Sequence, residues 1–264
     1  MKNITVIGAG NMGGALIKAI RKNKNYKVLV YDVNYEQAKA YNSNNSKAYE
    51  SLYEACVKGD IILLAVKPNI VLKVLSNIEN DIKNKLVITI AAGVKIKKYE
   101  NKIENLRLIR CMPNMPALVA EGMTTICKGN NATDDDLDIA KSILKMAGEI
   151  LVIDESKIDG ATALAGSSPA YVFMMIEAMA DAGVLEGLNR DNAYKLATQA
   201  VLGSAKLLIK SKEHPGVLKD RICSPGGTTI EAVNVLEQEG FRNALIKAIG
   251  ACTDKSKKLS GDGR

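Results

Sequence analysis

The sequence predicts an α/β chain in which an N-terminal, mostly parallel sheet with helices on both faces is followed by an all-helical C-terminal dimerisation domain. Three observations predict it. Short apolar, β-branched runs alternate with helical patterns through residues 1–153, a glycine-rich turn joins the first run to the first helical pattern, and residues 155–258, within a second domain at 154–264, read as successive helices without a strand-like run. Runs that are apolar throughout belong to strands covered on both faces, the usual state of a parallel sheet.

The first strand is Ile4-Thr5-Val6-Ile7, which stops at Gly8, and a helical pattern covers 12–20. Lys27-Val28-Leu29-Val30-Tyr31, a polar helix from Asn34, and the run 61–66 come next, followed by strand candidates at 86–90, 107–111, 123–127 and 150–153. Thr133 ahead of Asp134, Asp135 and Asp136 marks a helix start, with a side-chain cap and negative charge in the first turn. In the second half the stretch 171–180 is apolar almost all round. Such a helix must be covered on several sides, and a helical domain of this size cannot hide it alone, so an obligate homodimer through this domain is expected. Residues 259–264 read as a frayed tail.

Composition narrows the function. The chain has 264 residues, enough for a sizeable core, with 47% apolar and 25% charged residues, which excludes disorder as a whole-chain reading. Aromatics are 4%, Trp is absent, and the net charge of +7 is scattered along helix faces with a mild cluster at Lys255, Lys257 and Lys258. Neither a stacking platform nor a basic stripe accompanies the charge, so no nucleic-acid partner is expected. The runs such as 61–66 are too short to span a bilayer and no leader precedes the first strand, so no membrane is expected either. Cys56, Cys111, Cys127, Cys223 and Cys252 are odd in number and lack metal or redox spacing, which suits reduced thiols in the cytoplasm and no metal. The one histidine, His214, sits beside Pro215 and Gly216 in a turn, which leaves little material for a triad.

Gly8, Ala9, Gly10, Asn11, Met12 and Gly13 fit G-x-G-x-x-G between a strand and a helix, the setting of a Rossmann-like dinucleotide site. Gly8 permits the tight turn, Gly10 lets backbone approach a pyrophosphate, and Gly13 lets helix and strand pack closely. The first helical turn offers unpaired N–H groups to phosphate. Asp32 stands 19 residues beyond Gly13, at the end of the second strand. A carboxylate there accepts from a ribose 2′-hydroxyl and repels a 2′-phosphate, so of NADH and NADPH it favours NADH. A plain glycine-rich turn with an ordinary loop Asp satisfies the same pattern.

Ligands of open parallel sheets bind outside the carboxyl ends of strands. Ala65, Val66, Lys67 and Pro68 close the third strand, with Lys67 able to meet phosphate or carboxylate; Ala91, Ala92 and Gly93 close the fourth, small enough for a nicotinamide to lie against backbone. Arg110-Cys111-Met112-Pro113-Asn114-Met115-Pro116 makes a stiff loop after a strand. Ser224-Pro225-Gly226-Gly227-Thr228-Thr229, ahead of a helical stretch at 230–238, forms an anion cup: glycines allow converging N–H groups, and the helix adds its own donors.

These motifs, with Thr162-Ala163-Leu164-Ala165-Gly166-Ser167-Ser168-Pro169-Ala170-Tyr171, resemble the pyrroline-5-carboxylate reductase family over nearly the whole chain. The resemblance implies NAD(P)H-dependent reduction of the cyclic imine 1-pyrroline-5-carboxylate to L-proline, the last step of proline biosynthesis. It implies a cofactor domain, an interlocked helical dimer and, in some members, rings of ten subunits. It places the substrate carboxylate on Ser224, Gly226, Gly227, Thr228 and Thr229, with Thr229 near the ring nitrogen, Glu155 near the substrate and Arg221 near the cofactor. Asp159 falls in the same motif as Glu155, without an assigned role. Ala165 and Ser168 depart from the family's usual Ser and Gly. An imine accepts hydride best as the iminium, and the chief task is to hold its carbon about 3–3.5 Å from the donor carbon; Thr229 is the expected proton donor or relay. Two other readings share the fold. A β-hydroxyacid dehydrogenase uses a lysine that the stretch 165–171 lacks, and a non-catalytic NAD(H) sensor would not need the anion cup.

Overall fold

The computed structural model describes residues 1–261. The chain divides into two compact units, one made of Met1–Ser167 with the chain from Cys252 onward, the other of Ser168–Ala251.

In the first unit eight strands form one sheet in the order β3-β2-β1-β4-β5-β6-β7-β8. They are β1 (Lys2–Ile7), β2 (Tyr26–Tyr31), β3 (Ser46–Tyr49), β4 (Ile61–Leu64), β5 (Leu86–Thr89), β6 (Arg107–Met112), β7 (Gly122–Lys128) and β8 (Gly148–Val152). All neighbouring pairs are parallel except β6 with β7. The helices between them are α1 (Asn11–Ile20), α2 (Tyr35–Lys39), α3 (Leu52–Lys58), α4 (Pro68–Asn77), α5 (Ile96–Glu100) and α6 (Asp134–Leu144). Period-two alternation divides each central strand between two cores. Ile4, Val6, Ile61, Leu63, Leu86 and Ile88 join Leu16 and Ile17 of α1 and Ile143 of α6 on one face. Ile62, Leu64 and Val87 join Val71 and Leu75 of α4 and Tyr99 of α5 on the other. That two-sided burial is why these strands read as continuous apolar runs. The helix start at Thr133 is a capping box, with Thr133 and Asp136 each bonding the other's backbone N–H.

The sheet unit continues through α7 (Ile158–Ala161) and a π turn at Thr162–Ser167. The second unit holds α8 (Ser168–Leu185), α9 (Arg190–Ser211), α10 (Pro215–Ile222), α11 (Thr228–Gln238) and the first part of α12 (Phe241–Ser260). Gly183 of α8 lies so near Ala193 of α9 that a Cβ there would come within 3.3 Å of the alanine Cβ.

Four features differ from the sequence reading. Packing places the unit boundary after Ser167, not after residue 153, because Ile158 belongs to the core under α4 and α5. The edge strand β3 has no expected counterpart. Leu259 and Ser260, read as frayed tail, are the last helical residues of α12. Ser260 is buried and its hydroxyl donates to Asp159 Oδ2 (3.3 Å), beside Ser256 on Oδ1 (2.6 Å); residues 262–264 of that tail lie outside the described residues. Finally, the unbroken helical run Glu155–Leu185 has 31 residues and contains an 18-residue stretch with a mean hydropathy of 1.2, enough by length and composition alone to cross a bilayer. The expectation of only short apolar runs missed it, because it was counted in strands. Phe173 and Met174 on α8 are 59% and 68% exposed in the single chain, the apolar face that called for a partner.

Candidate active site

The strand order reverses direction between β1 and β4, and in open α/β sheets the crevice at such a point, at the carboxyl ends, receives the ligand. Both expected motifs stand there. Gly8 has φ +102°, and a Cβ on it would lie 2.6 Å from the Ala65 carbonyl oxygen; a Cβ on Gly13 would lie 2.0 Å from the Gly8 oxygen. The turn and the helix–strand approach therefore both require glycine. Gly10 differs: a Cβ there meets nothing within 4 Å. It is the N-cap of α1, which has neither a side-chain cap nor an acidic residue in its first turn. Open space over uncapped amides fits a pyrophosphate.

Asp32 fastens this loop. Its Oδ2 accepts the Ala9 N–H (2.7 Å) and its Oδ1 the Asn34 N–H (2.9 Å). A carboxylate has about four lone-pair sites, so capacity for a ribose hydroxyl remains. Gln37, which the sequence did not single out, donates to the Ala9 carbonyl at 3.0 Å, so both polar groups of Ala9 are held by side chains.

Val66 and Ala65 are half-buried, whereas Lys67 and Pro68 are exposed as the N-cap and first residue of α4. Gly93 has φ +69°, and Ala92 beside it is exposed. A cleft of about 570 Å³ opens there, lined among others by Pro68, Thr162, Ser167, Cys252 and Ser256. Asn114, in the expected stiff loop, is buried; its amide donates to the Ala165 carbonyl in the π turn (2.9 Å) and accepts from the Met123 N–H (2.8 Å).

Glu155 has two protein partners. Its Oε1 accepts from Arg110 Nη1 at 2.6 Å and from the Ile96 N–H at 2.7 Å. Arg110 is 4% exposed within β6, and a guanidinium so buried demands a counter-charge. An arginine inside an apolar strand run was the available signal for this pair.

The remaining residues expected to meet the substrate lie in the second unit. Gly226 has φ +66°, the Gly227 N–H closes a turn onto the Ser224 carbonyl (3.0 Å), and Gly227 is the N-cap of α11 without a side-chain cap. The first-turn amides, from Thr228 onward, thus have no intrahelical acceptor and point out of the helix end. Arg221 is exposed on α10 and paired with Glu213 at 2.7 Å.

A glycine-rich loop at the reversal of a doubly wound sheet, with an acidic residue closing β2, defines a dinucleotide-binding α/β protein. Residues 3–93 match the family described as NADP oxidoreductase, coenzyme F420-dependent, and residues 155–259 match pyrroline-5-carboxylate reductase dimerisation. The chain is 46% identical to the pyrroline-5-carboxylate reductase of Escherichia coli (strain K12), over 98% of each chain. Among solved structures it is similar to pyrroline carboxylate reductase from Plasmodium falciparum with NADP bound (34% identity, TM-score 0.88, 98% of each chain). It is also similar to the enzyme from Coxiella burnetii (30%, TM-score 0.93, 98% of each). The chain belongs to the pyrroline-5-carboxylate reductase family.

Proposed function

We propose that this chain reduces 1-pyrroline-5-carboxylate to L-proline with a reduced nicotinamide cofactor, and that its substrate carboxylate rests on the amides opening α11. The carrying observation is that mouth itself: a left-handed Gly226, a glycine N-cap and no capping side chain, in a chain of this family. Helix N-termini so exposed favour a carboxylate.

The cofactor, when bound, supplies the hydride. The first-turn amides at Asn11 and Met12 take its pyrophosphate, Gly10 leaves room for it, Gly8 and Gly13 shape the turn beneath it, and Ala65, Val66, Lys67 and Pro68 line the crevice. Ala92 and Gly93 form the wall for its ring. Asp32 accepts from the adenosine ribose and repels a 2′-phosphate, so NADH is preferred over NADPH. Thr228 and Ser224 add hydroxyls to the rim of the cup. Thr229 places its hydroxyl at the ring nitrogen and holds or relays the proton that makes the imine electrophilic. No histidine is needed for this.

The protein works as a homodimer through the apolar faces of the second unit, and dimers assembling into rings of ten is the larger form this reading allows. All five cysteines are free, which suits the cytoplasm. Sedimentation as a stable monomer at micromolar concentration would remove the dimer. The deciding assay is oxidation of NADH and NADPH by the purified protein with pyrroline-5-carboxylate, with hydroxyacids run in reverse. Proline formation supports the reading; hydroxyacid oxidation alone overturns it.

A further inference from the structure

The loop at 91–96 is held from behind at both ends by polar side chains, buried Thr89 at its start and half-buried Glu155 at its end. At its start the Ala91 N–H donates to Thr89 Oγ1 (3.3 Å), and Thr89 shares a hydrogen bond of 2.9 Å with the Tyr99 phenol. Thr89 and Tyr99 are fully buried. Burial, above all, pushes the Tyr99 phenol up to about 12, so it stays a neutral hydroxyl. At the loop's end the Ile96 N–H donates to Glu155, whose charge is balanced by buried Arg110. Between these fixed points lie exposed Ala92 and left-handed Gly93.

We propose that Thr89, Tyr99, Arg110 and Glu155 are positioning residues for hydride transfer: they set where the 91–96 loop stands, and Glu155 acts through Ile96 and Arg110 instead of touching the substrate. This rests on the reading of Ala92 and Gly93 as the wall for the nicotinamide ring. A wall of backbone and one methyl cannot adjust to the ring by rotating a side chain, so its position has to be fixed by what stands behind it. A misplacement of about 1 Å costs roughly 100-fold in rate.

Strand β6 supplies an internal control. Arg107, at the opposite end of β6 from the loop, pairs with Asp136, whose side chain is fully buried. Losing either pair removes a buried charge contact; only the Arg110 pair reaches the loop.

The test uses the full-length protein with NADH deuterated at the transferred position. Glu155→Gln keeps an oxygen for Ile96 but abolishes the charge pair. Thr89→Val, of the same shape, removes the acceptor for Ala91 and provides a second variant if the first folds poorly. Each is expected to lower kcat about 10–100-fold, raise the primary isotope effect, and change the KM for pyrroline-5-carboxylate by less than about 3-fold. Asp136→Asn is expected to lower Tm while leaving kcat and the isotope effect unchanged. The proposal is overturned if Glu155→Gln and Thr89→Val keep wild-type kcat and isotope effect. It is equally overturned if Glu155→Gln raises substrate KM alone, which is the behaviour of a direct ligand, or if Asp136→Asn lowers kcat as much. An inactive wild type would fail the functional reading instead. The emission of bound NADH then still reports on the ring's surroundings, shifting in Glu155→Gln and not in Asp136→Asn if the loop is set as proposed.

Discussion

The carboxylate of Asp32 accepts the backbone N–H of Ala9 at 2.7 Å, so the residue proposed to meet the adenosine ribose also anchors the glycine-rich turn. The two roles cannot be changed separately. Asp32→Ser removes the charge that repels a 2′-phosphate, and it also removes a charge-assisted hydrogen bond worth about 1.5–3 kcal/mol. The expected outcome is a shift of the NADPH-to-NADH ratio of kcat/KM toward NADPH by about 10–100-fold, with the value for NADH falling by a similar factor. Gln37→Leu, which frees only the Ala9 carbonyl, should weaken both cofactors without moving the ratio. Steady-state kinetics with each cofactor decides this, and an unchanged ratio in Asp32→Ser would remove Asp32 from cofactor choice.

The glycines of the same turn separate fold from binding. Gly13→Ala places a Cβ 2.0 Å from backbone oxygen, which no rotamer relieves, so it should be poorly folded or strongly destabilised. Gly10→Ala meets nothing within 4 Å and has φ −67°, so its stability should stay within about 1 kcal/mol of wild type. Its cofactor Kd should nonetheless rise at least about 10-fold, because the methyl occupies the space left for pyrophosphate. Thermal unfolding beside a cofactor titration reads both; tight cofactor binding by Gly10→Ala would move the pyrophosphate elsewhere.

The contrast between those glycines also explains what the sequence made legible. Steric demands at Gly8 and Gly13 are local, and so they appear as a short motif with fixed spacing. The continuous burial of Ile61, Ile62, Leu63 and Leu64, shared between two faces, is equally local, and the unbroken apolar run it demands announced the parallel sheet. Strand β3 did not announce itself, because four residues at an edge, Ser46 to Tyr49, carry one lysine and too few apolar positions to define a period. The contacts of Glu155 carried no signal in the sequence: its partners Arg110 and Ile96 are 45 and 59 residues distant, and only the folded sheet brings them together. Ser260 looked like tail for the same reason, since its buried partner Asp159 is 101 residues away. Gln37 carries no signal at all in one sequence, being an ordinary polar residue of a short helix.

At the mouth of α11, variants of Thr229 and Gly226 test the proposed chemistry and the proposed binding separately. Thr229→Ala should lower kcat by roughly 10–1000-fold with cofactor binding intact, the range between a lost hydrogen bond and a lost proton donor. Thr229→Ser, which keeps the hydroxyl, should recover most of that rate. Gly226→Ala meets no neighbour within 4 Å, but its φ of +66° disfavours any side chain by about 1–2 kcal/mol. The amides should lose alignment, and the substrate KM should rise about 10-fold with kcat changed less. Saturation kinetics on the three variants settles it, and wild-type turnover by Thr229→Ala would end the role of that hydroxyl.

At the other end of the sheet, Asp136 makes stability depend on acid. Burial alone would raise its carboxyl, but the hydrogen bonds from Arg107 and Thr133 outweigh burial and hold it below the ordinary value of 3.8. A carboxyl with a lower pKa in the folded chain than in the unfolded one binds its proton more readily after unfolding. Its contribution is therefore complete above about pH 4 and is lost as the pH falls through the depressed folded value. Asp136→Asn should lower stability at pH 7 by about 1.5–3 kcal/mol, the worth of a hydrogen bond to a charged group. It should also flatten the decline of Tm below about pH 4 relative to wild type, because the residue that titrates there is gone. Cofactor affinity at pH 7 should not change, since Asp136 caps α6 and touches nothing at the carboxyl ends of β1 and β4. Calorimetric scans of both proteins across that range test the assignment: parallel Tm curves would show that other carboxylates, not the one bound to Arg107, carry the acid sensitivity.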